Sequence, residues 1–208
     1  MVKEDSTVQS DVTLAKHLRI TEPSRWVMRF APLIKPGGSV LDLAAGGGRH
    51  GRALLAAGHA VTLVDKNTAP LADLAQQAEV VQADLEDGSP WPLEGQGFDA
   101  IVVVNYLHRP LIPTLLDSLN PGGLFLYETF ARGNEVYSRP RNPDHLLKSG
   151  ELLELVGGRL QVIAYEHGIR EAGPLPGVIQ HIAGVKDLEG SEREDGEPTP
   201  HPIQPNID

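Results

Sequence analysis

Three aspartates close three successive aliphatic runs: Asp42 in Val40-Leu41-Asp42-Leu43, Asp65 after Val61-Thr62-Leu63-Val64, and Asp84 after Val80-Val81-Gln82-Ala83. If these runs are parallel strands, the acids share the carboxyl edge of one sheet, where open α/β sheets bind ligands. A carboxylate at Asp65 can accept two hydrogen bonds from a ribose diol. Asp84 suits an adenine amino group, with the backbone N–H of Leu85 donating beside it. Between the first two acids lies Ala44-Ala45-Gly46-Gly47-Gly48-Arg49-His50-Gly51. A strand therefore runs through three glycines into a helix. Glycine lets a ligand approach the backbone, and the helix presents free N–H groups and a positive dipole end. Asp42 is costly there without a polar partner, and it suits a cationic amino group.

A second set of reactive types follows the fourth and fifth strand runs. Asn105-Tyr106-Leu107-His108 comes first and Tyr127-Glu128-Thr129-Phe130 second. A hydroxyl acceptor would need a general base, and His108 and Glu128 are the candidates, with Tyr106 as orienter. Structural readings stay open beside these: a turn histidine at 108, and for Glu128 an ion pair with Arg132, Arg139 or Arg141. His50 suits ligand contact or packing rather than chemistry. The segment 131–143, stiffened by Pro140 and Pro143, reads either as a wall of a second-substrate pocket or as a solvated loop.

The elements that must position these residues alternate. Arg25 to Ile34 has helical spacing, and Ser24 can cap it. Strand runs at Ser39–Leu43, Ala60–Val64, Glu79–Ala83, Phe98–Val104 and Leu124–Phe130 are separated by helical segments at 49–57, 70–77 and 111–119. That alternation predicts right-handed crossovers and a parallel sheet. A helix over 144–156, with a break near Gly150, precedes strand runs at 160–166 and 178–186. With no helix between them, these last two pair antiparallel. The expected fold is a doubly wound, Rossmann-like, mostly parallel seven-stranded sheet with a C-terminal antiparallel strand pair. Residues 1–20 read as a flexible arm, 21–186 as one domain, and 187–208 as a disordered, acidic, proline-rich tail.

The chain has 208 residues, no cysteine and a formal net charge of −10. Lack of cysteine excludes disulfides, thiolate metal sites and a cysteine nucleophile. No metal site is expected. The stretch 187–208 holds seven acidic residues and one basic residue, so the rest carries a net charge of only −4. A mildly acidic body disfavours nucleic acid, which needs a basic surface. The apolar runs are too short to span a bilayer, and no signal peptide is legible. We expect a cytoplasmic protein, monomer or homodimer, with a small-molecule acceptor as its partner.

Gly46, Gly48 and Gly51 also match a dinucleotide fingerprint, with Asp65 near the expected offset of about 20 residues. Three features favour S-adenosylmethionine over a nicotinamide cofactor. An acid precedes the loop, the loop is longer than usual, and the final antiparallel pair leaves no room for a separate substrate domain. The ordered set Val40–Gly48, Val64-Asp65, Ala83-Asp84-Leu85, Phe98–Val102 and Leu119–Leu124 resembles class I S-adenosylmethionine-dependent methyltransferases, over about Ser24 to Lys186. The resemblance implies that Asp42 and Gly46–Gly48 hold the methionine part, Asp65 the ribose and Asp84 the adenine. Ala44, which stands where many members carry glycine, joins Arg49, Lys66, Leu85 and Asn105 in the expected cofactor set.

Asn105–Pro110, Tyr127–Phe130, Gly133-Asn134 and Arg139–Pro143 resemble the tellurite-resistance methyltransferase-like branch. Asn105 is followed by Tyr106-Leu107-His108 rather than by two prolines and an aromatic, so methylation of nucleobase amino groups or protein amides is disfavoured. Rival readings are a non-catalytic adenosyl-cofactor-binding partner protein and an NAD-dependent oxidoreductase.

Overall fold

The computed structural model describes residues 20–188 and 193–203. The expected arm over 1–20 lies outside the described residues but for Ile20. Seven strands form one sheet: β1 (Ser39–Leu43), β2 (Ala60–Asp65), β3 (Glu79–Gln82), β4 (Phe98–Val104), β5 (Leu119–Phe130), β6 (Gln161–Arg170) and β7 (Gly177–Val185). Their spatial order is β3-β2-β1-β4-β5-β7-β6. β1 to β5 are parallel, and β7 runs antiparallel between β5 and β6. The expected architecture is observed. The order reverses between β1 and β4, which makes their carboxyl ends the topological switch point.

Among the described residues, four α-helices support the sheet: α1 (Arg25–Phe30), α2 (Arg49–Ala56), α3 (Ile112–Asp117) and α4 (Glu151–Val156). Strand residues alternate between two buried clusters. Leu41, Leu43, Ile101, Val103, Phe125 and Tyr127 face one, and Val40, Ala100, Val102, Val104, Leu124 and Leu126 the other. Both faces are covered, so the central strands are mostly apolar, with Asp42 in β1 and Glu128 in β5 as buried exceptions. Asp99 is the exception in β4. It sits at the amino edge, where it accepts from the Ser39 N–H at 2.8 Å and pairs with Lys35.

Several helical segments are shorter than their periodicity suggests. The expected helix at 25–34 becomes a 3-10 turn at Ala31–Leu33, because Pro32 has no N–H to continue the ladder. Ala69–Leu74 is also 3-10 rather than α. Expected helix 144–156 begins only at Glu151, after Gly150 at φ +76°. Its first part is a 3-10 turn at Pro143–His145 and an extended bridge from Leu147 to Ala131. Residues 120–123, expected to close a helix, lie within β5, with an irregularity against β4 between Phe98 and Ala100. Residues 193–203 form neither helix nor strand, and His201 Nε2 lies 2.5 Å from Asp187 Oδ2. Among the described residues no helix is long and apolar enough to cross a membrane.

Candidate functional site

Two adjoining cavities open at the carboxyl ends of β1 to β4. The larger, about 310 Å³, is lined by Ala44, Gly46, Asp65, Lys66, Asp84, Leu85 and Tyr106, among others. The smaller, about 150 Å³, is lined by Ile20, Ala44–Gly47, Arg49, His50, Val104 and Asn105. Ala44 and Gly46 belong to both, so the glycine loop forms a shared wall. Eight of the ten expected cofactor residues therefore meet in one continuous cleft. The other two, Asp42 and Gly48, line neither cavity.

The chain leaves β1 through Ala44 at φ +52° and Gly46 at φ +57°, and reaches α2 through Gly48 at φ +72°. A Cβ at Gly46 would meet no protein atom within 4 Å, so this backbone is open to a ligand. Gly48 serves packing instead, since a Cβ there would lie 2.7 Å from Leu71 Cδ2. Asn105 ends β4 with φ +60°, a conformation asparagine tolerates better than most residues. Left-handed backbone at Ala44 and Asn105 faces the smaller cavity from two sides, and such strain gathers at functional sites.

Asp65 accepts from Gly46 N–H at 2.8 Å through Oδ2 and from Asn67 N–H at 2.9 Å through Oδ1. Each carboxylate oxygen keeps a second lone pair for a ligand. Asp84 accepts from Glu86 N–H at 3.1 Å. The Tyr106 hydroxyl is buried beside the Glu86 carboxylate. Burial, reinforced by the carboxylates of Glu86, Asp84 and Asp65, pushes its pKa well above the usual phenol value.

Asp42 behaves differently from expectation. Its carboxylate is buried and turns to the first turn of α2, where Oδ2 accepts from Gly51 N–H at 2.9 Å. His50 Nδ1 lies 3.9 Å from Asp42 Oδ1. Burial pushes Asp42 up to about 7, against the opposing pull of the Gly51 N–H and Arg49. Burial, with Arg49 adding to it, pulls His50 down to about 3. The histidine is therefore neutral. Its Nε2 is buried in the small cavity's wall with no partner, as is Asn105 Oδ1.

The expected base candidates do not converge on a proton. His108 lines neither cavity. Glu128 is 2% exposed and already engaged. It accepts from the Ser24 hydroxyl and, at 2.6 Å, from Arg170 Nη1, while His181 Nε2 stands 3.7 Å away. Burial raises its pKa, but His181, Arg170 and Ser24 outweigh that and hold it below the usual carboxylate value. The ion-pair partner is thus Arg170 on β6, not Arg132, Arg139 or Arg141, which are all exposed. Cross-strand register explains this: Glu128 faces His181, which faces Glu166, and Arg170 sits at the far end of β6. The segment 131–143 lines neither cavity. It folds around buried Asn134, whose Nδ2 donates to Ser138 O and Pro140 O.

Sequence reasoning missed Ile20, Ser24 and Arg170. Ser24 was legible as a helix cap, and it does accept from Trp26 N–H at 3.1 Å. No local signal linked it to Glu128, 104 positions away.

Residues 40–123 match a family model described as a methyltransferase domain. No curated protein matches the sequence. Among solved structures, TehB from Haemophilus influenzae is similar with a TM-score of 0.67 and 20% identity, over 84% of this chain. The chain spans 66% of that protein. The 1,6-didemethyltoxoflavin-N1-methyltransferase of Burkholderia thailandensis, solved with its substrate and S-adenosylhomocysteine, gives 0.57 and 21%, over 86% of this chain and 87% of that one. A TehB-like S-adenosylmethionine-dependent methyltransferase from Corynebacterium glutamicum gives 0.57 and 18%, over 86% and 96%. At these identities the likeness establishes a shared fold.

Proposed function

We propose, from the premise that this chain carries a class I methyltransferase domain whose cofactor is S-adenosylmethionine, that it methylates a small acceptor lacking any need for a strong base. The pair of adjoining cavities around one glycine loop carries this reading. The larger suits the adenosine part, with Asp65 accepting from the ribose, Asp84 and Leu85 meeting the adenine, and Lys66 at the rim. The smaller suits the amino-acid end. Arg49 offers a guanidinium to a carboxylate, and the two unpartnered acceptors, His50 Nε2 and Asn105 Oδ1, suit an ammonium. Buried polar atoms without partners are costly, and a ligand with complementary donors relieves that cost.

Bound S-adenosylmethionine supplies an electrophilic methyl carbon on a sulfonium, so the protein's task is positioning and exclusion of water. Ala44 and Gly46 fix the boundary between the two cavities. Of the two groups expected to act as base, His108 lines neither cavity and Glu128 is tied to Ser24 and Arg170. Tyr106, the expected orienter, holds its proton more tightly than a free phenol, and His50 at about 3 is a very weak base. An acceptor with its own free lone pair, such as a thiolate, a chalcogenide or a neutral amine, fits this environment. The TehB-like branch remains our reading of Asn105–Pro110 and Tyr127–Phe130, supported by the likeness to TehB and its C. glutamicum counterpart.

Calorimetry tests the cofactor assignment: S-adenosylmethionine and S-adenosylhomocysteine bind, and NAD does not. A screen of thiols, amines and alcohols with labelled cofactor tests the acceptor class. Transfer to alcohols in preference to thiols would refute it.

A further inference from the structure

Residues 20–24 start in the wall of the smaller cavity at Ile20 and lead into α1, and Arg49 and Glu128 both anchor them. Ile20 lines that cavity and also packs on a separate apolar cluster of Phe130, Leu146, Leu175 and Ile179. Two residues on, the Glu22 carbonyl accepts from Arg49 Nη1 at 3.0 Å. The Ser24 hydroxyl then donates to Glu128. Arg170 links the two ends. Its Nη1 donates to Glu128, while Nε and Nη2 donate to the Leu175 carbonyl at 3.0 and 2.9 Å, within the cluster that seats Ile20. Glu128 is also joined to the opposite wall, because its carbonyl accepts from Asn105 N–H at 2.8 Å.

We propose that Glu128 is a positioning residue: with Arg170 it fastens residues 20–24 as a strap over the smaller cavity, and the strap retains the amino-acid end of the cofactor. This rests on the assignment of the two cavities made above. One carboxylate holds the strap's end and, through its own backbone, the Asn105 wall. Opening the strap therefore breaks a charge-assisted bond inside a dry site, where such bonds are strongest. Among the described residues the adenosine side has no comparable cover, since none of residues 20–24 lines the larger cavity. Nucleoside recognition and retention of the amino-acid end are then separable.

The test compares two ligands on the full-length chain. S-adenosylhomocysteine has the amino-acid end, and 5′-methylthioadenosine lacks it. In Ser24→Ala and Glu128→Gln, the affinity for S-adenosylhomocysteine falls at least tenfold by calorimetry, with a faster dissociation rate in stopped flow. Affinity for methylthioadenosine stays within twofold. Ser24→Thr, which keeps the hydroxyl, restores the affinity. A general loss of stability would weaken both ligands together, so equal loss of both overturns the proposal, and so does unchanged binding of both. Should Glu128→Gln fail to fold, the Ser24 pair of variants decides alone. A wild-type protein that binds methylthioadenosine and S-adenosylhomocysteine equally well also overturns it, without touching the nucleoside assignment. Wild-type protein that binds neither overturns the cofactor reading and this proposal with it.

Discussion

The larger and smaller cavities are neighbours on one loop, yet they are built in opposite ways. The larger takes its polar groups from strand ends: Asp65 as the last residue of β2, and Asp84 and Leu85 after β3. Each is placed by the few residues before it. The smaller takes Ile20, Arg49, His50 and Asn105 from three separate stretches of chain, and Asp42, Glu128, Ser24 and Arg170 support those stretches. Its chemistry depends on burial and on contacts across the fold. A local site tolerates change around it, whereas an assembled site responds to changes at a distance.

The largest effect is expected at the local site. Asp65→Ala removes an acceptor that serves the glycine loop and, in our reading, the ribose. Charged hydrogen bonds are worth about 1.5–3 kcal/mol each, so affinity for both S-adenosylhomocysteine and methylthioadenosine falls at least about tenfold. Calorimetry that finds only the first ligand weakened would break the division between the two cavities.

The assembled site shows itself next, in pH dependence. Asp42 titrates near 7 in the folded chain and near 3.8 when free. Between these values the folded state holds the extra proton, so Asp42 makes stability fall as pH rises. His50 titrates near 3 when folded and near 6.5 when free. There the unfolded state holds the extra proton, and His50 makes stability rise with pH. The slopes oppose each other between about pH 4 and 6.5. In His50→Gln, stability measured by denaturant midpoint falls from pH 4 to 7. In Asp42→Asn it rises from pH 3 to 6.5. Variants with the same slope as wild type would show that the pair is not buried as described.

A smaller effect sharpens the role of the glycines. Gly48→Ala adds a Cβ near Leu71 at a left-handed φ. It costs roughly 1–2 kcal/mol for the backbone, plus a shift of Leu71, visible as a lower thermal midpoint. Smallest of all is His108→Ala. Because this side chain lines neither cavity, affinity for both ligands is expected to stay within twofold. A large loss would place His108 in the cleft and return it to the list of catalytic candidates.

Local pattern was enough for much of this molecule. Short apolar runs located all seven strands, and the glycine loop with Asp65, Asp84 and Leu85 located the larger cavity. Helix lengths were less legible. Pro32 and Gly150 cut segments whose periodicity ran on, because one missing N–H or one left-handed residue ends a helix whatever faces the core. Glu128 was recognisable as a buried acid that must be paired, since an isolated charge in β5 is costly. Its partner was not, because β6 and β7 bring Arg170 to it only after the sheet has formed.

The sequence by itself determined the order of strands and helices, the strand-end acids and the glycine turn, since these follow from spacing within a few residues. Only the tertiary structure decided which way Asp42 faces, why His50 is neutral, who pairs with Glu128 and what lies over the smaller cavity. Those outcomes depend on desolvation and on bonds such as Ser24 to Glu128, whose partners stand 104 positions apart. Neither the loss of water around a group nor a partner that distant is written in its neighbours along the chain.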